Sequence, residues 1–223
     1  TPFALLFGVF ALVMALMQGS AYAKLRTSGV IRDRLKIIST ATAIVYIVLF
    51  VLAGVWLLFI PGFQYTPSAN LAHMSDTLNH PFTSAVISRE HSWYFNYTQI
   101  STIWMWIAPI LAVAGAIFVI KLNKQDRDGC AVVASTASVF GAVLTFGFTL
   151  FPFVMPSTEG TGEFSLTVWN ATSSQTSLTG ILIAAVIFLP IIFTYTLFVY
   201  KKMWANGRRI SAEDVKAHSH DMY

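Results

Sequence analysis

The sequence predicts an all-α fold, a polytopic transmembrane helical bundle with five spans in this chain. Of its 223 residues, 56% are hydrophobic and only 11% are charged, and the mean hydropathy is +0.65. A soluble domain usually has about 25% charged residues, so this chain has too few polar groups to cover its apolar surface in water. Soluble globular and disordered proteins are therefore excluded. The single cysteine, Cys130, also excludes an intrachain disulfide.

Five stretches contain no charged residue, and each is long enough to cross about 30 Å of hydrocarbon as a helix. They comprise residues 3–23, 37–60, 100–120, 130–155 and 178–200. Apolar side chains occupy all sides of each stretch, and the backbone groups freed by internal prolines need partners on neighbouring helices. We therefore predict a single integral-membrane domain over residues 1–223, with no separate soluble domain.

Each span has recognisable ends. The first ends before Lys24 and is not a signal peptide, because no basic segment precedes it and four further spans follow. Lys36 precedes the second span, and Lys121 follows the third. Prolines end the fourth span, and a cluster of hydroxyl side chains precedes the fifth. In that cluster Ser173 or Ser174 is placed to cap the helix by accepting hydrogen bonds from its first N–H groups.

Basic residues alternate between the two sides of the predicted membrane. All fourteen except Arg89 lie in the first connection, the third connection or the tail 201–223. By the positive-inside rule these segments face the cytoplasm, and the loops 61–99 and 156–177 face outward. This topology explains the net charge of +4, so no nucleic-acid partner is expected. It also places Thr1 outside, which predicts that the chain is a C-terminal fragment of a longer protein.

The spans contain little that could carry chemistry. All five histidines lie outside them, and no Asp, Glu, Lys or Arg lies within them. We therefore expect no catalytic residue, no metal site, no proton relay and no ion pathway in this chain. The methionines of the spans are interpreted as packing residues. Gln18 and the Ser and Thr side chains are expected to form hydrogen bonds to the backbone or between helices.

The most specific pattern lies between the fourth and fifth spans. It runs Phe151-Pro-Phe-Val-Met-Pro-Ser157 and then Ser165-Leu-Thr-Val-Trp-Asn-Ala-Thr-Ser-Ser-Gln175. Supporting matches are Pro2-Phe3, Gln18-Gly19, Arg26-Thr27, Ala53-Gly-Val-Trp56 and the tail from Tyr200 to Tyr223. Together they resemble subunit II of the cytochrome bd quinol oxidases over the whole chain. Many members have an acidic residue where this chain has Asn170.

The resemblance implies a subunit of eight helices, of which this chain would supply the fourth to the eighth. It implies a haem-bearing partner, subunit I, that oxidises quinol, reduces oxygen to water and generates proton motive force with b-type and d-type haem. Small single-helix subunits, a structural quinone and a bacterial or archaeal plasma membrane are also implied. No cofactor contact can be assigned to this chain. The structural or subunit-interface candidates are Gln18, Arg26, Trp56, Pro156, Ser157, Trp169, Asn170, Ser173 and Ser174.

Two other hypotheses explain part of the sequence. Spans interrupted by proline and rich in hydroxyl groups are compatible with half of a secondary transporter. The absence of charge from the spans argues against it. A passive membrane scaffold explains the composition equally well, but it does not explain the motif between the fourth and fifth spans.

Overall fold

The computed structural model describes residues 2–66, 86–92, 104–151, 153–156, 166–167, 171 and 173–205. Within them lie five long helices: α1 (Pro2–Arg26), α2 (Val30–Leu57), α3 (Ile107–Lys124), α4 (Asp128–Leu150) and α5 (Gln175–Ala205). All five are long and apolar enough to cross a membrane. The predicted helical membrane fold is therefore confirmed, and the chain is an integral membrane protein.

The first four helices form two helical hairpins that pack side by side. Residues 27–29 join α1 to α2, and residues 125–127 join α3 to α4. Gly29 has a φ of 63°, a backbone conformation that favours glycine, so the first connection can turn within three residues. In the ring that results, α2 packs on α3 and α1 packs on α4. The interior is apolar and includes Phe10, Met17, Tyr46, Ala112, Val119 and Ala142.

The helices α3 and α4 approach each other most closely at two glycines. A Cβ atom added to Gly141 would lie 2.5 Å from the backbone nitrogen of Ala112, and one added to Gly115 would lie 2.7 Å from the Cβ of Ser138. Neither position has room for a side chain. Small residues at helix contacts are typical of membrane proteins, because close backbone approach increases van der Waals contact.

The structure corrects the end of the predicted fourth span. Helix α4 ends at Leu150, and Phe153–Met155 forms a short strand, β3, that pairs antiparallel with β4 (Leu166–Thr167). Phe151 has φ −56° and ψ 133°, which is extended backbone. A proline disfavours helical backbone at the residue before it, so Pro152 ends the helix earlier than the apolar composition suggests.

The other helix ends also differ from the predicted limits. Three helices extend into the basic connections: α1 ends at Arg26, α2 begins at Val30, and α3 ends at Lys124. The second and third helices are joined by a segment that contains an antiparallel pair of strands, β1 (Pro61–Thr66) and β2 (Val86–Ser92). This strand pair was not predicted from the sequence. At these basic ends only the charge-free part of each helix was predicted, because charged residues were taken as the limits. At the opposite ends α2 stops at Leu57 and α3 begins at Ile107, inside the predicted limits 60 and 100.

Helix α5 differs from the other four in its packing. None of its most apolar 18-residue window is buried within the described part of the protein, and Pro190 lies inside the helix. Near its C-terminal end, the ring of Tyr200 meets the ring of Tyr22 edge to face, with centroids 6.1 Å apart. The described residues therefore contain one bundle of four helices and a fifth helix that contributes little to its core.

Candidate functional site: a buried ion network at the basic end

The main concentration of polar contacts lies at the end of the bundle where α1 and α3 finish and α2 and α4 begin. We call this the basic end, because it includes both short basic connections. Its ionised side chains come from both hairpins: Lys24, Arg32 and Lys36 from the first, Asp126 and Asp128 from the second. Every cation of this network is therefore on one hairpin and every carboxylate is on the other.

Lys24 and Asp128 form the buried centre of the network. The Lys24 Nζ lies 3.2 Å from Oδ1 of Asp128, and the two side chains are 0% and 3% exposed. Lys24 Nζ also donates a hydrogen bond to Oδ1 of Asn123. The sequence analysis found no charged residue within the predicted spans, and Lys24 and Asp128 lie just beyond their limits. Both are nevertheless covered by neighbouring helices.

Arg32 and Lys36 complete the network on the outside. Arg32 donates through Nε to Asp128 Oδ2 at 2.9 Å and through Nη2 to Asp126 Oδ1 at 3.2 Å. Lys36 Nζ donates to the same Asp126 oxygen at 2.7 Å. This hydrogen bond from Lys36 is the main cause that lowers the pKa of Asp126 below its ordinary value. Asp126 has a φ of 55°, which turns the connection so that its carboxylate meets both cations.

Asn123 connects the ion pairs to neutral groups deeper in the bundle. While its Oδ1 accepts from Lys24, its Nδ2 donates to Ser39 Oγ and to Thr40 Oγ1, both at 3.1 Å. One buried amide on α3 thus contacts both α1 and α2. An amide side chain can accept and donate at once, so this arrangement satisfies the groups that burial would otherwise leave unpaired.

A second set of hydrogen bonds joins three helices in the middle of the bundle. The hydroxyl of Tyr46, a fully buried residue, donates to the backbone oxygen of Ser138 at 3.1 Å. Ser138 Oγ donates to the backbone oxygen of Ala112 at 2.6 Å. The contact ties α2 to α4 and α4 to α3 at the level where the helices are closest. Next to it, the ring of Phe10 packs 5.0 Å from that of Tyr46.

The charged side chains of the network form ion pairs with one another, so the basic end holds the two hairpins together. Across the described ranges no group of three or more His, Cys, Asp or Glu side chains could hold a metal ion. The five helices contain no histidine in their sequence. Their residues therefore do not fit a haem held by histidine, the usual axial ligand.

The candidates predicted from the sequence are distributed over both ends of the bundle. Gln18 donates through Nε2 to Thr136 Oγ1 at 2.9 Å, which joins α1 to α4 as expected for an interhelical hydrogen bond. Arg26 is the last residue of α1 at the basic end. Trp56 lies at the opposite end, with its ring 5.9 Å from the ring of Phe3.

The remaining candidates belong to the segment before α5. Ser174 Oγ accepts a hydrogen bond from the Ser177 N–H at 3.3 Å, so the predicted cap of this helix is confirmed at Ser174. Ser173 is exposed, and Pro156 is half-buried after β3. Three further candidates, Ser157, Trp169 and Asn170, lie outside the described residues.

Sequence reasoning missed Lys24 although a signal for it existed. Phe10, Met17 and Lys24 are seven residues apart, a spacing that places them on the same face of a helix. Phe10 is 2% exposed and the other two are 0% exposed. Periodicity through the last turn of α1 would therefore have predicted a buried lysine. Its partner Asp128 is 104 positions away, and no local pattern indicates that pairing.

Comparisons with known proteins give a consistent result. The sequence profile described as cytochrome bd terminal oxidase subunit II matches residues 1–203. A Haemophilus influenzae protein named probable cytochrome oxidase subunit 2 is 35% identical over 222 residues. The cytochrome bd-I ubiquinol oxidase subunit 2 of Escherichia coli strain K12 is 34% identical over 223 residues. In both cases the alignment covers 100% of this chain and 56% of the relative, so the chain spans about half the length of these relatives.

Proposed function

Because the chain belongs to the cytochrome bd terminal oxidase subunit II family, we propose that it serves in a membrane complex that oxidises quinol and reduces oxygen to water. The match over residues 1–203 carries this proposal, and it favours the oxidase over a transporter half or a passive scaffold. The relative from Escherichia coli is named as a subunit of a ubiquinol oxidase. In such a complex, electron transfer to oxygen generates proton motive force.

Within that complex the role of this chain is structural. The haem-bearing subunit I holds haem b and haem d, since the helices of this chain offer no histidine. The ionised side chains of the network at the basic end bind to one another, which suits a part whose task is to keep its shape. The chain presents apolar helix faces to subunit I and shields the haem sites from lipid and water. Accessory single-helix subunits and a structural quinone remain part of this proposal without assigned contacts.

The proposed arrangement in the membrane follows from the positive charges. The basic end and the tail 201–223 face the cytoplasm of a bacterial or archaeal cell, and the loops 61–99 and 156–177 face outward. Salt bridges between the first and third connections support their placement on one side. The chain is the C-terminal part of an eight-helix subunit, which agrees with its share of the relatives' length.

The test is to purify the tagged full-length protein from its own membranes in mild detergent and identify what accompanies it. We expect haem bands in the reduced-minus-oxidised spectrum together with a larger polytopic partner. Absence of both haem and partner from an intact preparation would contradict the oxidase assignment. Haem bound to this protein after the partner has been removed would contradict the structural role.

A pair of neighbouring serines tests the structural role more finely. Ser174→Ala removes the cap of α5, and Ser173→Ala is the matched control at an exposed position. We expect Ser174→Ala to lower the yield of assembled complex, while turnover per assembled haem stays unchanged. Normal assembly with reduced turnover would show that the segment before α5 acts in the reaction.

A further inference from the structure

An open groove runs along the outer side of the second hairpin, in the half nearest the basic end. Its volume is about 390 Å³ and its walls are apolar, formed by α3 and α4. Leu111, Phe118 and Leu122 line it on one helix, and Val133 and Ala137 on the other. From Leu111 to Leu122 a helix rises about 16 Å, which is close to the hydrocarbon depth of one membrane leaflet, about 15 Å.

The mouth of this groove carries positive charge. The Nζ of Lys121 lies 5.8 Å from the ring centroid of Phe118, which itself lines the groove. Lys124 ends the same helix, and Arg127 directly precedes α4. All three basic side chains are exposed. The apolar groove thus ends beside the ammonium group of Lys121, and Lys124 and Arg127 follow within the next six residues of the chain.

Among the described residues, the network at the basic end engages the two carboxylates that lie nearest these three cations in sequence. Asp126 and Asp128 lie beside them in sequence, but both are engaged by Lys24, Arg32 and Lys36 from the first hairpin. In the part of the chain that the structure describes, no ion pair is formed by Lys121, Lys124 or Arg127. Among the described residues, the carboxylates of the second hairpin therefore neutralise cations of the first hairpin. Lys121, Lys124 and Arg127 carry positive charge with no ion pair in that part of the chain.

We propose that this groove binds one anionic phospholipid, with an acyl chain against α3 and α4 and the headgroup phosphate at Lys121 and Lys124. The length of the groove matches a chain of one leaflet, and the cations supply what a phosphate needs. An apolar partner helix would fill the groove but would leave the three cations unneutralised. Basic residues next to a membrane attract anionic lipid, each by about a fivefold gain in binding.

The experiment uses the assembled full-length protein, stripped of loosely bound lipid and titrated with phosphatidylglycerol or phosphatidylcholine under native mass spectrometry. We expect one tightly bound phosphatidylglycerol and no comparable phosphatidylcholine. The double variant Lys121→Gln and Lys124→Gln should weaken binding by about 25-fold. Arg34→Gln, which removes an exposed cation from α2 at the same end, should change it less than twofold.

A second pair of variants separates a defined site from diffuse attraction. Val133→Trp fills the groove and keeps every charge, and Val143→Trp adds the same bulk to an exposed position of α4 outside the groove. We expect only Val133→Trp to abolish the bound lipid. Unchanged binding in this variant, or in the double lysine variant, would overturn the proposal. A protein helix seated in the groove of the assembled complex would overturn it as well.

Discussion

Lys24 and Asp128 form an ion pair between the last turn of α1 and the first residue of α4, with 3.2 Å between Nζ and Oδ1. The two partners are not equivalent. Asp128 has a second cation, Arg32, at 2.9 Å, whereas the remaining partner of Lys24 is the neutral amide of Asn123. Loss of the carboxylate therefore leaves a buried ammonium without a counter-charge, and loss of the lysine does not leave the carboxylate unpaired.

We predict that Asp128→Asn destabilises the protein more than Lys24→Met does. Removing one partner of a buried pair costs about 3–5 kcal/mol when a charge is left uncompensated. Asp128→Asn should approach that range, and Lys24→Met should cost less than half as much, because Arg32 still neutralises Asp128. Unfolding in detergent measures both changes, and the double variant should recover part of the loss. Equal effects of the two single variants would contradict this asymmetry.

The close approach of α3 and α4 makes Gly141 intolerant of a side chain. We expect Gly141→Ala to cost about 1–3 kcal/mol, because the new Cβ would meet the backbone of Ala112 at 2.5 Å. Gly147→Ala on the same helix is the control, since a Cβ there meets nothing within 4 Å. The control should be neutral or slightly stabilising, as alanine favours helix over glycine. Thermal unfolding of both variants measures the contrast.

The buried hydroxyl of Tyr46 should contribute measurably to the contact between α2 and α4. Tyr46→Phe removes the hydrogen bond to the Ser138 carbonyl and keeps the ring, so we expect a loss of about 1 kcal/mol. Tyr195→Phe, at a position that is 67% exposed, should have no effect. Chemical denaturation of the two variants in the same detergent measures the difference in their free energies of unfolding. A neutral Tyr46→Phe would mean that the hydroxyl makes no net contribution.

The contact between Lys36 and Asp126 should make stability depend on pH in the acid range. The pKa of Asp126 is lowered in the folded protein, so the contact contributes fully to stability above the ordinary carboxyl pKa of 3.8. The contribution is lost as the pH falls through the lowered value. We expect Asp126→Asn to reduce the melting temperature slightly at neutral pH and to match the unaltered protein at the acid end. A difference that grows on acidification would have the wrong sign.

The helices could be predicted from the sequence, but the network between them could not. A charge-free apolar run is sufficient to indicate a membrane helix, and the alternation of basic residues correctly grouped the two short connections at one end. The pairing of Lys36 with Asp126 depends on how two hairpins dock, and this is decided by packing in the interior rather than by neighbours in sequence. The predicted limits of the helices were wrong for a related reason. Charged residues were taken to end each helix, but tertiary contacts stabilise the helix beyond them.

Local backbone chemistry accounts for the other differences. Prolines were expected to end the fourth span, yet Pro152 and the apolar residues after it were assigned to the span by their composition. The extended backbone at Phe151 shows that proline geometry dominates over hydrophobicity there. The cap at Ser174 was predictable because it depends on residues only three positions apart.

The separation of charge between the two hairpins bears on how the protein could be divided. A break within residues 67–85 would leave both hairpins whole, with Lys24, Arg32 and Lys36 on one polypeptide and Asp126 and Asp128 on the other. Two separately translated halves would carry complementary charges at the same depth of the membrane. These charges would restore the original register when the halves recombine, and they would oppose the pairing of either half with a second copy of itself.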